Sequence, residues 1–308
     1  MCRRIAGNWF KHIVIIFILG TSFSSAVFAQ DPSSKQADPQ ASPTPQASPS
    51  PSLEQRFVRN ILRDQKAIWT APFSVHQSDV RWIAPLAVSS AILFATDRHT
   101  AGKLLEPGDH RTRLRISRDI SRGGATYTTA AVAGTFYLIG RTTHNARARE
   151  TGLLSMEALL DNGIVTIALK TASQRQRPTT DDASGEFFAG GSAFPSGHAS
   201  SVWSAATVIA SEYGRHRPLV RFAAYGLATA VSIARYTGQN HFLSEVLVGS
   251  AIGYGIGRYV YRTNHDPSLD GTNGRNGHSL LKSKLIPSTY PIYSRAEHSY
   301  GLAMRWRL

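Results

Sequence analysis

Sulfur chemistry is almost missing from this chain. Its 308 residues include one cysteine, Cys2. That count excludes an internal disulfide and any site built from several thiolates. Acidic residues are also scarce, at 20 Asp and Glu against 34 Lys and Arg, for a net charge of +14. Long apolar runs are lacking too. Counted from charge to charge, Trp82–Thr96 has fifteen residues, Phe222–Ala234 thirteen and Val246–Gly257 twelve. Each is shorter than the roughly twenty expected of a membrane-crossing helix. On this count the chain leans toward a domain outside the bilayer or only partly in it. Finally, the apolar segments lack β-branched alternation, which argues against a sheet core.

Present at the start is a pattern of export. Arg3, Arg4 and Lys11 precede the apolar run Ile13–Leu19, and Val27-Phe28-Ala29 offers a cleavage site before Gln30. Residues 1–29 therefore read as a signal peptide. Its removal would take the cysteine with it, which suits an oxidising compartment. Removing three basic residues and no acidic one leaves +11. Residues 30–52 hold six prolines among Ser, Ala, Gln and Asp, a composition that cannot build a core, so a disordered linker is expected.

From residue 53 the pattern is helical. Phe57, Ile61, Leu62 and Ile68 share one helix face, and six longer apolar segments follow, near 82–96, 125–141, 153–170, 198–213, 219–235 and 241–261. The expectation is an all-α fold, a helical bundle of about six core helices over residues 53–262. Gly249, Gly253 and Gly257 recur every four positions and permit close helix contact. Arg111, Arg113, Arg115 and Arg118 read as a solvated loop or a patch facing lipid headgroups. Residues 263–308 form a loop-rich tail. It ends in the alternation Tyr300, Leu302, Met304, Trp306, Leu308, a strand pattern whose partner would be Ile286–Tyr293.

Three clusters in the second half carry the chemistry. They are Lys170 with Arg177-Pro178, then Pro195-Ser196-Gly197-His198, then Arg235 with His241. Three cations, two histidines and a glycine turn are what a site needs to hold and cleave a phosphoryl group without a metal. Their order and spacing resemble the type 2 phosphatidic acid phosphatase / vanadium haloperoxidase superfamily, over roughly residues 80–262. The resemblance implies His241 as nucleophile and His198 as general acid. It implies Lys170, Arg177, Arg235, Ser196 and Gly197 as the phosphate cradle. Glu245 stands four residues after His241, where the family usually has Asp, and would orient the ring if both lie on one helix face. Ala234 stands where many relatives have Ser. Arg175, Asp181, Asp182 and Glu186 read as solvated loop charges, and Asp97-Arg98-His99 as a polar helix end.

These residues imply an exported, metal-independent phosphatase acting on phosphate monoesters or lipid (di)phosphates through phospho-His241. No cofactor is called for, and no His and carboxylate spacing suggests a metal site. The expected partner is a phosphorylated small molecule or a lipid headgroup, with an anionic membrane surface as a further candidate. No nucleic-acid motif is present. The expected location is the periplasm or cell envelope. Two alternatives stay open, a vanadate-dependent haloperoxidase and a non-catalytic anion- or lipid-binding homologue.

Overall fold

The computed structural model describes residues 53–105, 110–180, 184–215, 217–270, 288–294 and 299–305. The expected signal peptide and linker lie outside these residues, as do Asp181, Asp182, Ile286, Trp306 and Leu308. Eight α-helices occur among the described residues. They are α1 (Leu53–Thr70), α2 (Gln77–Leu105), α3 (Arg111–Arg122), α4 (Thr126–Thr142), α5 (Ala146–Ser173), α6 (Gly197–Tyr213), α7 (Pro218–Thr237) and α8 (Leu243–Asn264). The tail carries an antiparallel hairpin, β1 (Ser288–Ser294) and β2 (Ser299–Arg305), with Tyr293 opposite Tyr300. The class is the all-α bundle that the apolar periodicity implies.

Helix ends follow local chemistry. The Asn145 side chain caps α5 by accepting the Ala148 N–H. Pro218 opens α7, where its missing N–H costs nothing. The central contact is α6 against α8, and it rests on the glycine stripe. A Cβ on Gly249 would lie 2.6 Å from the Ser196 carbonyl oxygen, and Gly253 and Gly257 face the Ser200 and Ser204 carbonyls still more closely. The two backbones therefore touch, and the N-terminus of α6 meets the N-terminus of α8. Leu154, Ala158, Val165, Val208, Ile256 and Val260 form the apolar core between α5, α6 and α8.

Two sequence expectations need correction. The arginine cluster at 111–118 is not a loop but helix α3. Its buried face is Ser117 and Ser121, with the Ser117 hydroxyl 2.7 Å from that of Thr237. A helix that packs through serines shows little apolar period, and its helical signal lies instead in the spacing of Arg111, Arg115, Arg118 and Arg122. The apolar runs also understate helix length. Helix α2 has 29 residues and continues through Asp97, which turns inward and is buried. At 1.5 Å per residue it is about 43 Å long. Helix α5 has 28 residues, and α2 and α5 are each long and apolar enough to cross a membrane. On α2 only Asp97 and Ala101 are buried, while Trp82, Ile83, Leu86, Val88 and Ile92 are exposed.

Beside this apolar core, many large apolar side chains are exposed and many charged ones are buried. Phe222, Leu227 and Ile233 on α7 and Leu160, Ile164 and Ile167 on α5 are exposed. Asp64, Glu150, Glu157, Asp161, Asn162, Glu212 and Glu245 are buried. Buried polar groups need partners, and several find them between helices. Gln65 donates to Asp161 at 2.8 Å, Asn264 donates to Glu157 at 2.5 Å, and Ser200 bonds Asn162.

Candidate active site

The three motifs meet at one end of the bundle. Lys170 sits in the last turn of α5, Ser196 is the N-cap of α6 with Gly197 and His198 following, and Arg235 lies in the last turn of α7. His241 lies in the turn between α7 and α8. Its position is set by backbone, since the N–H groups of Asn240 and His241 both donate to the Arg235 carbonyl, at 3.1 and 3.2 Å. The turn thus fixes the third motif's two members relative to each other.

His241 is buried, and its Nδ1 lies 2.9 Å from Glu245 Oε2. Burial pushes Glu245 up to about 8 while Arg175 pulls it back. In its ionised form the carboxylate only accepts, so Nδ1 then carries the proton and Nε2 keeps a free lone pair. The geometry differs from the expected shared helix face. His241 precedes α8, whose N-cap is Phe242, and Glu245 reaches back from the first turn. The same Oε2 accepts the Phe242 N–H at 3.2 Å. Glu245 therefore caps its helix and fixes the imidazole tautomer at once.

The other Glu245 oxygen meets a residue that sequence reasoning misplaced. Arg175 is not a solvated loop charge. It is buried, lies 3.3 Å from Glu245 Oε1 and 2.9 Å from Asp97 Oδ2, and donates to Ser244 Oγ at 3.0 Å. Its guanidinium also sits 4.5 Å from the Phe242 ring centroid. Asp97 in turn bonds the Ser244 hydroxyl and accepts its N–H at 3.3 Å. Asp97 is a mid-helix anchor tying α2 to α8, not a polar helix end. Asp97 and Arg175 are 78 residues apart, and Arg175 and Glu245 are 70 apart. The only nearby signal was that Arg175 falls inside the first motif.

Around His241 stand the cations. Lys170, Arg177, Arg235 and His198 all act on its ring electrostatically, and with burial as the leading cause they hold its pKa well below the usual histidine range. His198 is pushed down to about 4, first by burial and then by Arg235, Arg177 and Lys170. Lys170 passes close to Gly197, where a Cβ would lie 3.8 Å from its Cε, and donates to the Ser192 carbonyl at 2.5 Å. Ser196 is fully buried. Its N–H donates to the Glu245 carbonyl at 3.1 Å, and its hydroxyl has no protein partner. That N–H is therefore spent on the α6–α8 contact rather than on a ligand.

Arg177, His198 and Arg235 open into a cavity of about 630 Å³. Across it lie Arg118 and Arg122 of α3, with Tyr127, Gln239 and Asn240. Sequence reasoning had noted Arg118 only within its cluster. The size suits a small-molecule or headgroup site. Four arginines and the N-terminus of α6 give the cavity a strongly positive lining.

These features gather the two histidines, the carboxylate and the cations of the three motifs at one end of a helical bundle. Residues 151–268, which contain all three motifs, match the PAP2 superfamily. A 68-residue stretch is 35% identical to the Lipid A 1-phosphatase of Porphyromonas gingivalis. It covers 22% of this chain and 15% of that protein, so the match spans less than a sixth of the curated relative. The crystal structure of a transmembrane PAP2 type phosphatidylglycerolphosphate phosphatase from Bacillus subtilis is 21% identical. The match covers 72% of this chain and 98% of that one, with a TM-score of 0.43.

Proposed function

We propose that this chain is a membrane-embedded, exported phosphatase that removes phosphate from a lipid phosphate or lipid diphosphate through phospho-His241. The observation carrying the reading is the His241–Glu245 pair set among Lys170, Arg177, Arg235 and His198, beneath an arginine-lined cavity. In the first step Nε2 of neutral His241 attacks phosphorus and the P–O bond to the leaving group breaks. His198 gives its proton to the leaving oxygen. The three cations neutralise the charge that spreads over the equatorial oxygens. In the second step His198 takes a proton from water, the water oxygen attacks phosphorus, and the P–N bond breaks to free His241 and inorganic phosphate.

A lipid substrate is favoured by the exterior of the bundle. Helices α2 and α5 cross the bilayer in this reading. Their lengths of about 43 and 42 Å exceed the roughly 30 Å hydrocarbon core. The exposed Trp82, Ile83, Leu86 and Ile92 of α2 would lie against lipid. The cavity then opens near headgroup depth, with Arg118 and Arg122 toward anionic lipid. The named substrates of the two relatives, lipid A and phosphatidylglycerolphosphate, are both phosphorylated lipids.

The deciding experiment measures phosphate release by the purified chain in detergent micelles. The substrates are phosphatidate, phosphatidylglycerolphosphate, a prenyl diphosphate, a lipid A preparation and a soluble aryl phosphate. Turnover of at least one lipid phosphate above the aryl phosphate in kcat/KM is expected. No release from any of them would overturn the reading. Export of the site is tested separately by reporters fused after residue 180, in the α5–α6 connection at the active-site end, and after residue 270, at the opposite end. The first should be active only outside the cytoplasm and the second only inside.

A further inference from the structure

The end of the bundle opposite His241 holds a second polar cluster with no part in the chemistry above. It is built from Glu150 in the second turn of α5, Glu212 near the end of α6 and His265 just after α8. Glu150 is 20 residues from Lys170 on the same helix, so the cluster lies about 30 Å from the candidate active site. Both carboxylate side chains are fully buried and the His265 side chain is 10% exposed. Both Glu212 oxygens, Glu150 Oε2 and both His265 nitrogens lack a hydrogen-bond partner. Unmade hydrogen bonds on buried charged groups are costly.

The distances say what would satisfy them. His265 Nδ1 lies 3.4 Å from Glu150 Oε2 and 3.4 Å from Glu212 Oε2, and one ligand atom from each residue falls within a 4.8 Å group. A charge-assisted N–H···O contact closes to about 2.7–2.9 Å. A tetrahedral ion with bonds of about 2.1 Å instead sets its ligand atoms about 3.4 Å apart. The surroundings also resemble the supporting partners of a metal site. Glu150 Oε1 accepts the Asp266 N–H at 2.6 Å, and Arg147 Nε lies 3.3 Å from Glu212 Oε1. The atoms left facing one another are the two Oε2 and Nδ1. Arg147 is one cation against two buried carboxylates, closest to Glu212.

We propose that Glu150, Glu212 and His265 bind one divalent metal ion, with water completing the coordination. One imidazole nitrogen and two carboxylates suit a borderline ion such as zinc or manganese better than magnesium or calcium. The ion would tie the start of α5 and the ends of α6 and α8 into one unit. Its role is structural, because the cluster is far from the reacting atoms. Sequence spacing could not reveal it, since the ligands come from three helices at positions 150, 212 and 265.

The test uses the untagged full chain in detergent. Metal content is measured by inductively coupled plasma mass spectrometry, and the thermal midpoint is followed after chelation and after adding back Zn²⁺, Mn²⁺, Mg²⁺ or Ca²⁺. We expect about one zinc or manganese per chain. Saturating re-addition after chelation should raise the midpoint by roughly 5 °C or more, by binding linkage. Glu212→Gln and His265→Gln should each lose the bound ion and the thermal response, while His241→Ala keeps both. Should a ligand variant fail to fold, titration calorimetry of chelated wild type with Zn²⁺ and Mn²⁺ still decides the matter. Wild type that binds none of the four ions, or a response that survives in a folded ligand variant, overturns the site.

Discussion

Helices α5, α6 and α8 carry a polar cluster at each end, and the two clusters have opposite sign. At one end Lys170, Arg177 and Arg235 surround two histidines, with Glu245 the carboxylate that touches His241. At the other, Glu150, Glu212 and Asp270 surround His265, with Arg147 the buried cation. The cationic end receives the N-termini of α6 and α8, where partial positive charge gathers, and the C-termini of α5 and α7, whose partial negative charge Lys170 and Arg235 answer. Each cluster is thus short of one sign of charge. A phosphoryl group completes the first, and in our proposal a divalent cation completes the second.

The sharpest way to break this comparison is to remove the nucleophile. His241→Ala should abolish turnover, and acid quenching should trap phosphate on wild type but not on the variant. Full activity in His241→Ala would sink the phosphohistidine mechanism. Next in size is Glu245→Gln. The amide cannot both accept from Nδ1–H and satisfy Arg175, so the wrong tautomer is favoured, with a loss of up to about 10⁴-fold as the upper guide from the serine-protease triad. Glu245→Asp should keep measurable activity. Equal kcat for all three on one substrate, with folding checked by circular dichroism, would remove Glu245 from the site.

His198→Ala should cost at least about 10²-fold in kcat. The pH dependence tests its electrostatics. In the free site burial and three cations hold His198 down to about 4, so at neutral pH it is unprotonated. A general acid needs the proton. A bound phosphate dianion offsets the cations and must raise the pKa, since an opposite charge favours the charged form. The basic limb of kcat, which reports the complex, should therefore fall at higher pH than the basic limb of kcat/KM, which reports the free enzyme. The comparison is made after allowing for the substrate's own ionisation near about 6. Coincident limbs would remove the coupling between phosphate binding and His198 protonation.

Chelator separates the two ends of the bundle directly. It should lower the thermal midpoint while leaving kcat at 25 °C unchanged, because no metal has a part in the phosphoryl chemistry. Vanadate should do the reverse. It imitates the pentacoordinate phosphorus and should inhibit strongly without changing the metal content. Loss of kcat in chelator, restored by a divalent ion, would contradict the metal-independent mechanism.

What the sequence made legible follows from the range of the interactions. The helices are legible from apolar spacing, a local property, and α3 is missed because it packs through Ser117 and Ser121. The three motifs are legible because residue type and order survive without coordinates. The Asp97–Arg175–Glu245 chain and the Glu150–Glu212–His265 cluster are not, since their members are brought together only by helix packing. Counting apolar residues between charges failed for α2 because Asp97 is buried against Arg175 and does not end the helix.

The smallest effect sharpens the comparison at the cavity rim. Arg118 and Arg122 face the same cavity as Arg177 and Arg235 but stand on the exposed surface of α3. Their task would be to draw an anionic headgroup in, not to stabilise the transition state. Removing such a residue weakens ground and transition state alike, which raises KM and leaves kcat in place. Exposed charges are worth about 0.2–1 kcal/mol each, so Arg118→Ala should raise KM roughly 1.5- to 5-fold. Arg122→Ala should do less, because Arg122 already pairs with Asp119 at 3.1 Å. Both effects should shrink as salt is raised, since exposed charges are screened over a Debye length of about 10 Å at 0.1 M. The measurement is KM and kcat on one lipid phosphate in mixed micelles at low and high salt. A drop in kcat with KM unchanged would move Arg118 from the rim into the phosphate clamp itself.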